Sequence, residues 1–184
     1  ACIVMEKLAK GKVKLTDMVP ASKEAARIGG SQVYLKEGET FSLEDMMKAM
    51  MVASGNDAAY AIAQFIAGSK EEFIAMMNEK AKALNLADTE FHSVHGLPPS
   101  KDEKEDLTSC SDLATLAREL LKYPKLLEWT AIKSDSFRDG KFTLTNTNKL
   151  LVKFPGTDGL KTGYYREAGF CIAATAKRGD LRFI

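Results

Sequence analysis

The chain has 184 residues, of which 45% are hydrophobic and 28% are charged, and its formal net charge is +1. This length suits one domain with a sizeable core, and the balanced charge leaves no electrostatic footprint for nucleic acid. No apolar run approaches the roughly 18 residues that a membrane span needs. Three cysteines make no disulfide framework, and we expect Cys2 and Cys171 to be buried among apolar side chains.

The first predicted element is a helix over 1–10, because apolar residues recur there at helical spacing and Gly11 suits its C-terminus. Segment 12–38 is irregular, apart from one strand candidate at 32–35. The first helix has no N-cap, and the last residues read as the middle of a strand. We therefore expect a domain that is truncated at both ends.

A strong amphipathic helix is predicted to begin after Ser42, because Ser42 and Asp45 form a capping-box pattern. Its apolar face carries a methionine-rich stripe, which is typical of a packed core. The stripe consists of Leu43, Met46, Met47, Met50 and Met51. Small and turn-favouring residues at 53–57 then break the helix, and a helical pattern resumes immediately.

Two further helices are predicted after Ser69 and Ser109, each of which is followed at the third position by an acidic residue. The intervening segment 85–108 is polar and reads as a loop. Pro124 suits the first turn of a short helix that ends at Thr130.

After this helix the pattern changes to strands. Asp139-Gly140 predicts a type I′ hairpin turn, and 177–180 predicts a second hairpin between the last two strands. Helices thus fill the middle of the chain and antiparallel strands fill the end, which indicates an α+β fold. We expect a helical lobe at about 40–131 and a sheet at about 132–184.

Two short motifs could carry chemistry. Ser54-Gly55-Asn56 falls in the helix break, where a hydroxyl and an amide can point into a cleft. Lys161-Thr162-Gly163 supplies a cation, a hydroxyl and a glycine that lets a ligand approach the strand. Because neighbouring strand residues face opposite sides, only twist or a bulge could aim Lys161 and Thr162 at one anion.

These motifs, in this order, resemble those of the low-molecular-weight penicillin-binding proteins, which are serine-type D-Ala-D-Ala carboxypeptidases. The matching stretches are Ile3-Val4-Met5-Glu6, Leu43-Glu44-Asp45-Met46-Met47, Ser54-Gly55-Asn56-Asp57-Ala58, Val94-His95-Gly96-Leu97, Asn146-Thr147-Asn148-Lys149-Leu150 and Asp158-Gly159-Leu160-Lys161-Thr162-Gly163-Tyr164. The resemblance implies a β-lactamase/transpeptidase-like fold, incomplete here, with residues 1–184 in a single domain.

The resemblance also implies partners and a location. The substrate would be a peptidoglycan pentapeptide ending in D-Ala-D-Ala, and β-lactam antibiotics would acylate the same site. No cofactor and no metal would be required. The enzyme would act outside the cytoplasmic membrane, and parts absent from this chain could anchor it there.

For catalysis, the resemblance implies that Ser54 relays a proton toward the leaving amine. Asn56 would hold the substrate amide and fix the catalytic lysine. Lys161 would bind the terminal carboxylate of the substrate and raise the local positive field.

For substrate binding, the resemblance implies that Thr162 shares the terminal carboxylate with the neighbouring lysine. Gly163 would leave room for the substrate along the strand. The backbone N–H of Tyr164 would supply half of the oxyanion hole.

The family's Ser-x-x-Lys motif, which carries the nucleophile and its base, is absent from this sequence. We expect that motif just upstream of Ala1, so this chain alone should be inactive. One alternative is a class A-like β-lactamase, although Gly55 replaces the expected Asp and Glu90 is followed four residues later by Val94 instead of Asn. The other alternative is a non-catalytic penicillin-binding-like module, for which the missing motif would be the natural signature.

Overall fold

The computed structural model describes residues 1–101 and 103–184, so Asp102, in the predicted loop 85–108, lies outside the described residues. The helices are α1 (Cys2–Ala9), α2 (Leu43–Val52), α3 (Asn56–Ala67), α4 (Lys70–Ala83), α5 (Cys110–Leu120), α6 (Pro124–Thr130) and α7 (Leu150–Lys153), with a 3-10 turn at Ala25–Arg27. The strands are β1 (Met18–Pro20), β2 (Thr40–Ser42), β3 (Ser134–Phe137), β4 (Phe142–Thr145), β5 (Thr157–Tyr165), β6 (Gly169–Arg178) and β7 (Leu181–Phe183). The strands pair antiparallel as β1–β2, β3–β4 and β5–β6–β7, and the predicted α+β layout is confirmed.

The predicted helix starts are confirmed by their caps. The side chains of Ser42, Ser69 and Ser109 accept hydrogen bonds from the N–H groups of Asp45, Glu72 and Asp112 respectively. At the other end of α1, Gly11 has a φ of +63° and donates its N–H to the Leu8 carbonyl, as its predicted C-terminal position requires. None of the described helices is long and apolar enough to cross a membrane.

The core lies under α2, whose methionine stripe packs into it as predicted, with Met50 only partly buried. Leu43, Met46 and Met47 are 0% exposed, and Trp129 of α6 is 1% exposed in the same cluster. Burying side chains of this size contributes about 1.5–3 kcal/mol each. The packing of α6 against α2 therefore fixes the part of the chain from which β3 departs.

The predicted strand at 32–35 is wrong, although Val33 and Leu35 are buried there. Their N–H groups donate to the buried carboxylate of Asp57 and are not used in a strand ladder. Tyr34 between them has a φ of +56°, which an extended strand cannot contain. The expectation for Cys171 is also wrong, since this thiol is exposed, whereas Cys2 is buried as predicted.

The first predicted hairpin is confirmed. Asp139 and Gly140 have φ values of +51° and +84°, and the Lys141 N–H donates to the Arg138 carbonyl at 3.0 Å, as in a type I′ turn. Arg138 itself has a φ of +56° and donates from its guanidinium to the Val33 carbonyl at 2.7 Å. The hairpin is therefore fastened to the segment that precedes β2.

The second hairpin joins β6 and β7 as predicted, with Gly179 at a φ of +58°. Strand β5 lies at the edge of the three-stranded sheet, and its pairing with β6 places Gly163 opposite Cys171. The register shifts between Thr157 and Gly159, where β5 contacts α6. This shift lies just before Lys161.

Candidate active site

Ser54 lies at a sharp corner between α2 and α3, with a φ of +60°. Gly55 follows it and donates its N–H to the Ala49 carbonyl at 3.1 Å, which turns the chain back against α2. A Cβ on Gly55 would lie 3.1 Å from Asp57 Oδ1 and 3.3 Å from the Ala49 carbonyl oxygen. The corner is therefore tightly packed at Gly55, and the side chain of Ser54 lines an open cleft.

Lys161 reaches this corner from β5. Its Nζ donates to Ser54 Oγ at 2.5 Å and to the Thr162 carbonyl oxygen at 2.7 Å. Burial lowers the pKa of Lys161 from 10.5 to about 8. The amine is therefore mainly charged at pH 7 and can lose its proton slightly above neutral pH.

Thr162 lines the same cleft, where its Oγ1 lies 2.5 Å from Thr147 Oγ1. Thr162 therefore lines the cleft directly, whereas Lys161 is not among the lining residues and contacts the cleft through Ser54. Thr147 is not among the residues that the motifs identify. Its only sequence signal is its place in the matching stretch 146–150.

The cleft has a polar side and an apolar side. Among its lining residues, the polar ones include Ser31, Ser54, Thr147 and Thr162, and the apolar ones include Leu150, Tyr164, Phe170 and Ile172. Gly163 also lines the cleft, and a Cβ there would meet nothing nearer than Cys171 Cβ at 4.0 Å. The glycine therefore leaves space along the strand that the protein itself does not fill.

Of the remaining two predicted residues, Tyr164 lines the cleft, whereas Asn56 is not among the lining residues. Tyr164 is 64% exposed, and its ring centroid lies 4.5 Å from that of Phe170. Asn56 is buried, donates its backbone N–H to the Ser31 carbonyl at 2.8 Å and its Nδ2 to the Gly29 carbonyl at 3.0 Å. These bonds of Asn56 hold segment 29–31, and with it Ser31, beside the cleft.

Asp57, which follows the Ser54-Gly55-Asn56 motif, has a structural role that the motif does not indicate. Its carboxylate is 0% exposed and accepts hydrogen bonds from the N–H groups of Val33, Leu35 and Ala58 at 2.9–3.2 Å. The residue after Asn56 therefore ties the start of α3 to the segment that covers it.

Glu90, the acid that a β-lactamase would need near the serine, lies elsewhere. It lines a separate groove with Asn78 and Leu107, and its carboxylate lies 3.2 Å from His92 Nε2. A separate cluster of Cys2, Glu6 and Glu119 contains side chains of the kinds that bind metal ions. The Lys80 ammonium already contacts both carboxylates there, so the chain supplies the cation of this cluster itself.

Comparison with known proteins points in one direction. A family model described as D-alanyl-D-alanine carboxypeptidase matches residues 1–184. D-alanyl-D-alanine carboxypeptidase DacF of Bacillus subtilis is 46% identical over 185 residues, which cover 99% of this chain and 46% of DacF. D-alanyl-D-alanine carboxypeptidase DacC of Escherichia coli is 38% identical over 190 residues, which cover 99% of this chain and 46% of DacC.

Solved structures agree with this. Penicillin-binding protein 6B from Escherichia coli superposes with a TM-score of 0.89 at 35% identity, over 98% of this chain and 57% of that one. Penicillin-binding protein D2 from Listeria monocytogenes, in its ampicillin-bound form, gives a TM-score of 0.86 at 31% identity, over 98% of this chain and 72% of that one. The chain spans about half the length of the curated relatives it matches.

Proposed function

The chain belongs to the D-alanyl-D-alanine carboxypeptidase family, and we propose that it supplies the cleft residues of a serine-type carboxypeptidase. The reaction would remove the terminal D-alanine from a peptidoglycan stem peptide through an acyl-enzyme, which water then clears. Penicillins and related β-lactams would acylate the same site. The ampicillin-bound relative from Listeria monocytogenes supports this second part of the proposal.

The observation that carries the proposal is the 2.5 Å contact between Lys161 Nζ and Ser54 Oγ, with Thr162 and Thr147 beside it. The Lys161 ammonium and the hydroxyls of Ser54, Thr162 and Thr147 are together suited to bind a carboxylate, because charge-assisted hydrogen bonds are the strong ones. A peptide ending in D-Ala-D-Ala carries such a carboxylate at its end. Lys161 and Thr162 would hold it, and Thr147 would add a donor.

Ser54 would carry the proton toward the leaving amine. Its Oγ accepts from Lys161 and is therefore free to donate its own hydrogen into the cleft. A lysine whose pKa is about 8 can both give and take a proton near neutral pH, which suits a relay. Asn56 would hold the substrate amide, from its position against segment 29–31.

The substrate would lie along β5. The space beside Gly163 would receive its backbone, and the Tyr164 N–H would donate to the developing oxyanion. In related chemistry, removal of one such donor costs about 3–4 kcal/mol of transition-state stabilisation. The 184 residues contain no Ser-x-x-Lys, and we assign the nucleophile to none of them.

We also propose that residues 1–184 belong to one transpeptidase-like domain, with a helical lobe at about 40–131 and a sheet portion at about 132–184. The proposed peptidoglycan substrate would place the reaction outside the cytoplasmic membrane.

The test uses the complete gene product with a pentapeptide ending in D-Ala-D-Ala and a fluorescent penicillin. We expect release of one D-alanine per peptide and stoichiometric labelling that excess peptide slows. Labelling without D-alanine release would instead support a non-catalytic penicillin-binding module. Rapid hydrolysis of a chromogenic cephalosporin would support a β-lactamase, and neither labelling nor release would end the proposal.

A further inference from the structure

Thr130, the last residue of α6, lies behind the cleft and is 1% exposed. Its Oγ1 is 2.7 Å from the Asp158 carbonyl oxygen and 3.3 Å from that of Leu127. A hydroxyl has one hydrogen to donate, and the shorter contact crosses from α6 to β5. The hydroxyl therefore fastens the first residues of β5 to the end of the helix.

Asn148 fastens the next carbonyl. It is 4% exposed, and its Nδ2 donates to the Gly159 carbonyl at 3.0 Å. Its own orientation is fixed, because its N–H donates to Asn146 Oδ1 at 2.8 Å and its Oδ1 accepts from the Leu150 N–H at 3.1 Å. Two consecutive carbonyls of β5 are thus held by two buried side chains from different elements.

Asn146 connects Thr130 to Asn148. Its Nδ2 donates to the Thr130 carbonyl at 3.1 Å and to the Ile132 carbonyl at 2.8 Å. Thr130, Asn146 and Asn148 are called the carbonyl latch below. Thr147 lies between the two asparagines, and Lys161 follows Gly159 by two positions.

The carbonyl latch packs tightly against Gly159. A Cβ there would lie 2.7 Å from Thr130 Oγ1 and 3.3 Å from Thr175 Cγ2. On the other side, Arg182 clamps the Asp158 carboxylate with bonds of 2.9 and 2.8 Å. Buried polar groups that are satisfied in this way restrict a backbone to one arrangement.

We propose that Thr130 and Asn148 are positioning residues that determine where Lys161 and Thr147 reach the cleft. The inference rests on the proposed function for its catalytic consequence, and on geometry alone for the position of the Lys161 amine. The physical reason is that the two carbonyls held by the latch lie three and two positions before Lys161 on the same strand. If they are released, the amine can leave Ser54 for water.

The first test measures the Lys161 amine directly. In Thr130→Val, which keeps the shape and removes the hydroxyl, an NMR titration of 13C-labelled lysine should move the Lys161 midpoint upward from about 8 toward 10.5. Thr130→Ser restores the hydroxyl and should restore the midpoint. Thr143→Val, at an exposed position on β4, is the matched control and should leave it unchanged.

The second test measures penicillin acylation of the complete gene product across pH. Thr130→Val should lower the rate about tenfold to a hundredfold and shift the profile, whereas Thr130→Ser should stay near wild type. If the wild type is not acylated, the proposed function fails, and the lysine titration alone decides the positioning role.

A Thr130→Val or Asn148→Ala protein that melts cooperatively with an unchanged Lys161 midpoint would overturn the inference. If Thr130→Val does not fold, the same titration of Lys161 is made on Asn148→Ala, which releases the neighbouring Gly159 carbonyl. If Thr130→Ser does not restore the Lys161 midpoint, the Thr130 hydroxyl does not position the Lys161 amine.

Discussion

The amine of Lys161 lies 2.5 Å from the hydroxyl of Ser54, although 107 positions separate the two residues in the chain. Ser54 is held there by the corner between α2 and α3, and Lys161 by β5 and the elements behind it. A ligand that meets the cation therefore also meets the hydroxyl. This relationship underlies the first two predictions.

Lys161→Ala should weaken acylation by penicillin and by D-Ala-D-Ala peptides alike. Loss of a charge-assisted contact of this kind costs about 1.5–3 kcal/mol, which corresponds to roughly a tenfold to hundredfold loss in the second-order rate constant. Stopped-flow acylation of the complete gene product measures it. Lys141→Ala, in the exposed hairpin turn, is the control, and equal rates for both variants would remove Lys161 from the site.

The pH dependence of ligand binding should follow the same amine. Because the pKa of Lys161 is about 8, affinity for a D-Ala-D-Ala peptide should be flat below that pH and fall by up to about tenfold per pH unit above it. Lys161→Arg stays charged and should flatten the profile. Calorimetric titrations between pH 6 and 10 would show this, and a wild-type profile that stays flat to pH 10 would contradict it.

The low pKa of Lys161 should affect folding stability in the opposite direction: ligand binding weakens as pH rises, whereas the folded state becomes more stable. Between about pH 8 and 10.5 the unfolded chain binds more protons at Lys161 than the folded chain does, so this residue should make unfolding less favourable as pH rises. Lys161→Met should lose that contribution to the pH dependence. Urea unfolding at several pH values separates this effect from ligand binding.

Substitution by alanine should have different effects on stability at two glycines of β5. In Gly159→Ala the new Cβ would clash with Thr130 Oγ1 at 2.7 Å, so the free energy of unfolding should fall by about 1–3 kcal/mol. In Gly163→Ala the nearest atom is 4.0 Å away, so stability should be unchanged while peptide binding weakens. Thermal melts and acylation rates measure both, and the pair would fail if Gly163→Ala destabilised the fold more than Gly159→Ala.

Asp57→Asn should destabilise the protein although no catalytic role is assigned to Asp57. Its buried carboxylate accepts three backbone N–H groups, and an amide would place its own donor against one of them. We expect a loss of about 1.5–3 kcal/mol in chemical denaturation. Asp139→Asn, in an exposed turn that tolerates Asn, should be neutral.

Much of the helical part could be predicted because its signals are local. Ser42, Ser69 and Ser109 cap helices within four residues of themselves, and the stripe that includes Met46 and Met47 needs only helical spacing. The Asp139-Gly140 turn is local in the same sense. These interactions are complete within one element or one turn.

The predictions that failed concern long-range partners. Val33 and Leu35 alternate like strand residues, but their N–H groups are taken by Asp57, which lies 24 and 22 positions away. Cys171 belongs to an apolar run, but its side of β6 borders the cleft. Thr130 lies outside the matching stretches, and Asn148 lies within stretch 146–150 without an assigned role, since the contacts of both depend on carbonyls that come later in the chain.

A protein that is synthesised from its N-terminus reaches Ser54 long before it reaches Lys161. Closing a loop of 107 residues costs roughly 4 kcal/mol more than a contact between neighbours, so the helices can form while the cleft is still open. The guanidinium of Arg138 must likewise return to Val33 across 105 positions. Recovery of helical circular dichroism during refolding should therefore precede recovery of ligand binding, and a nascent chain released before β5 would be helical and unable to bind.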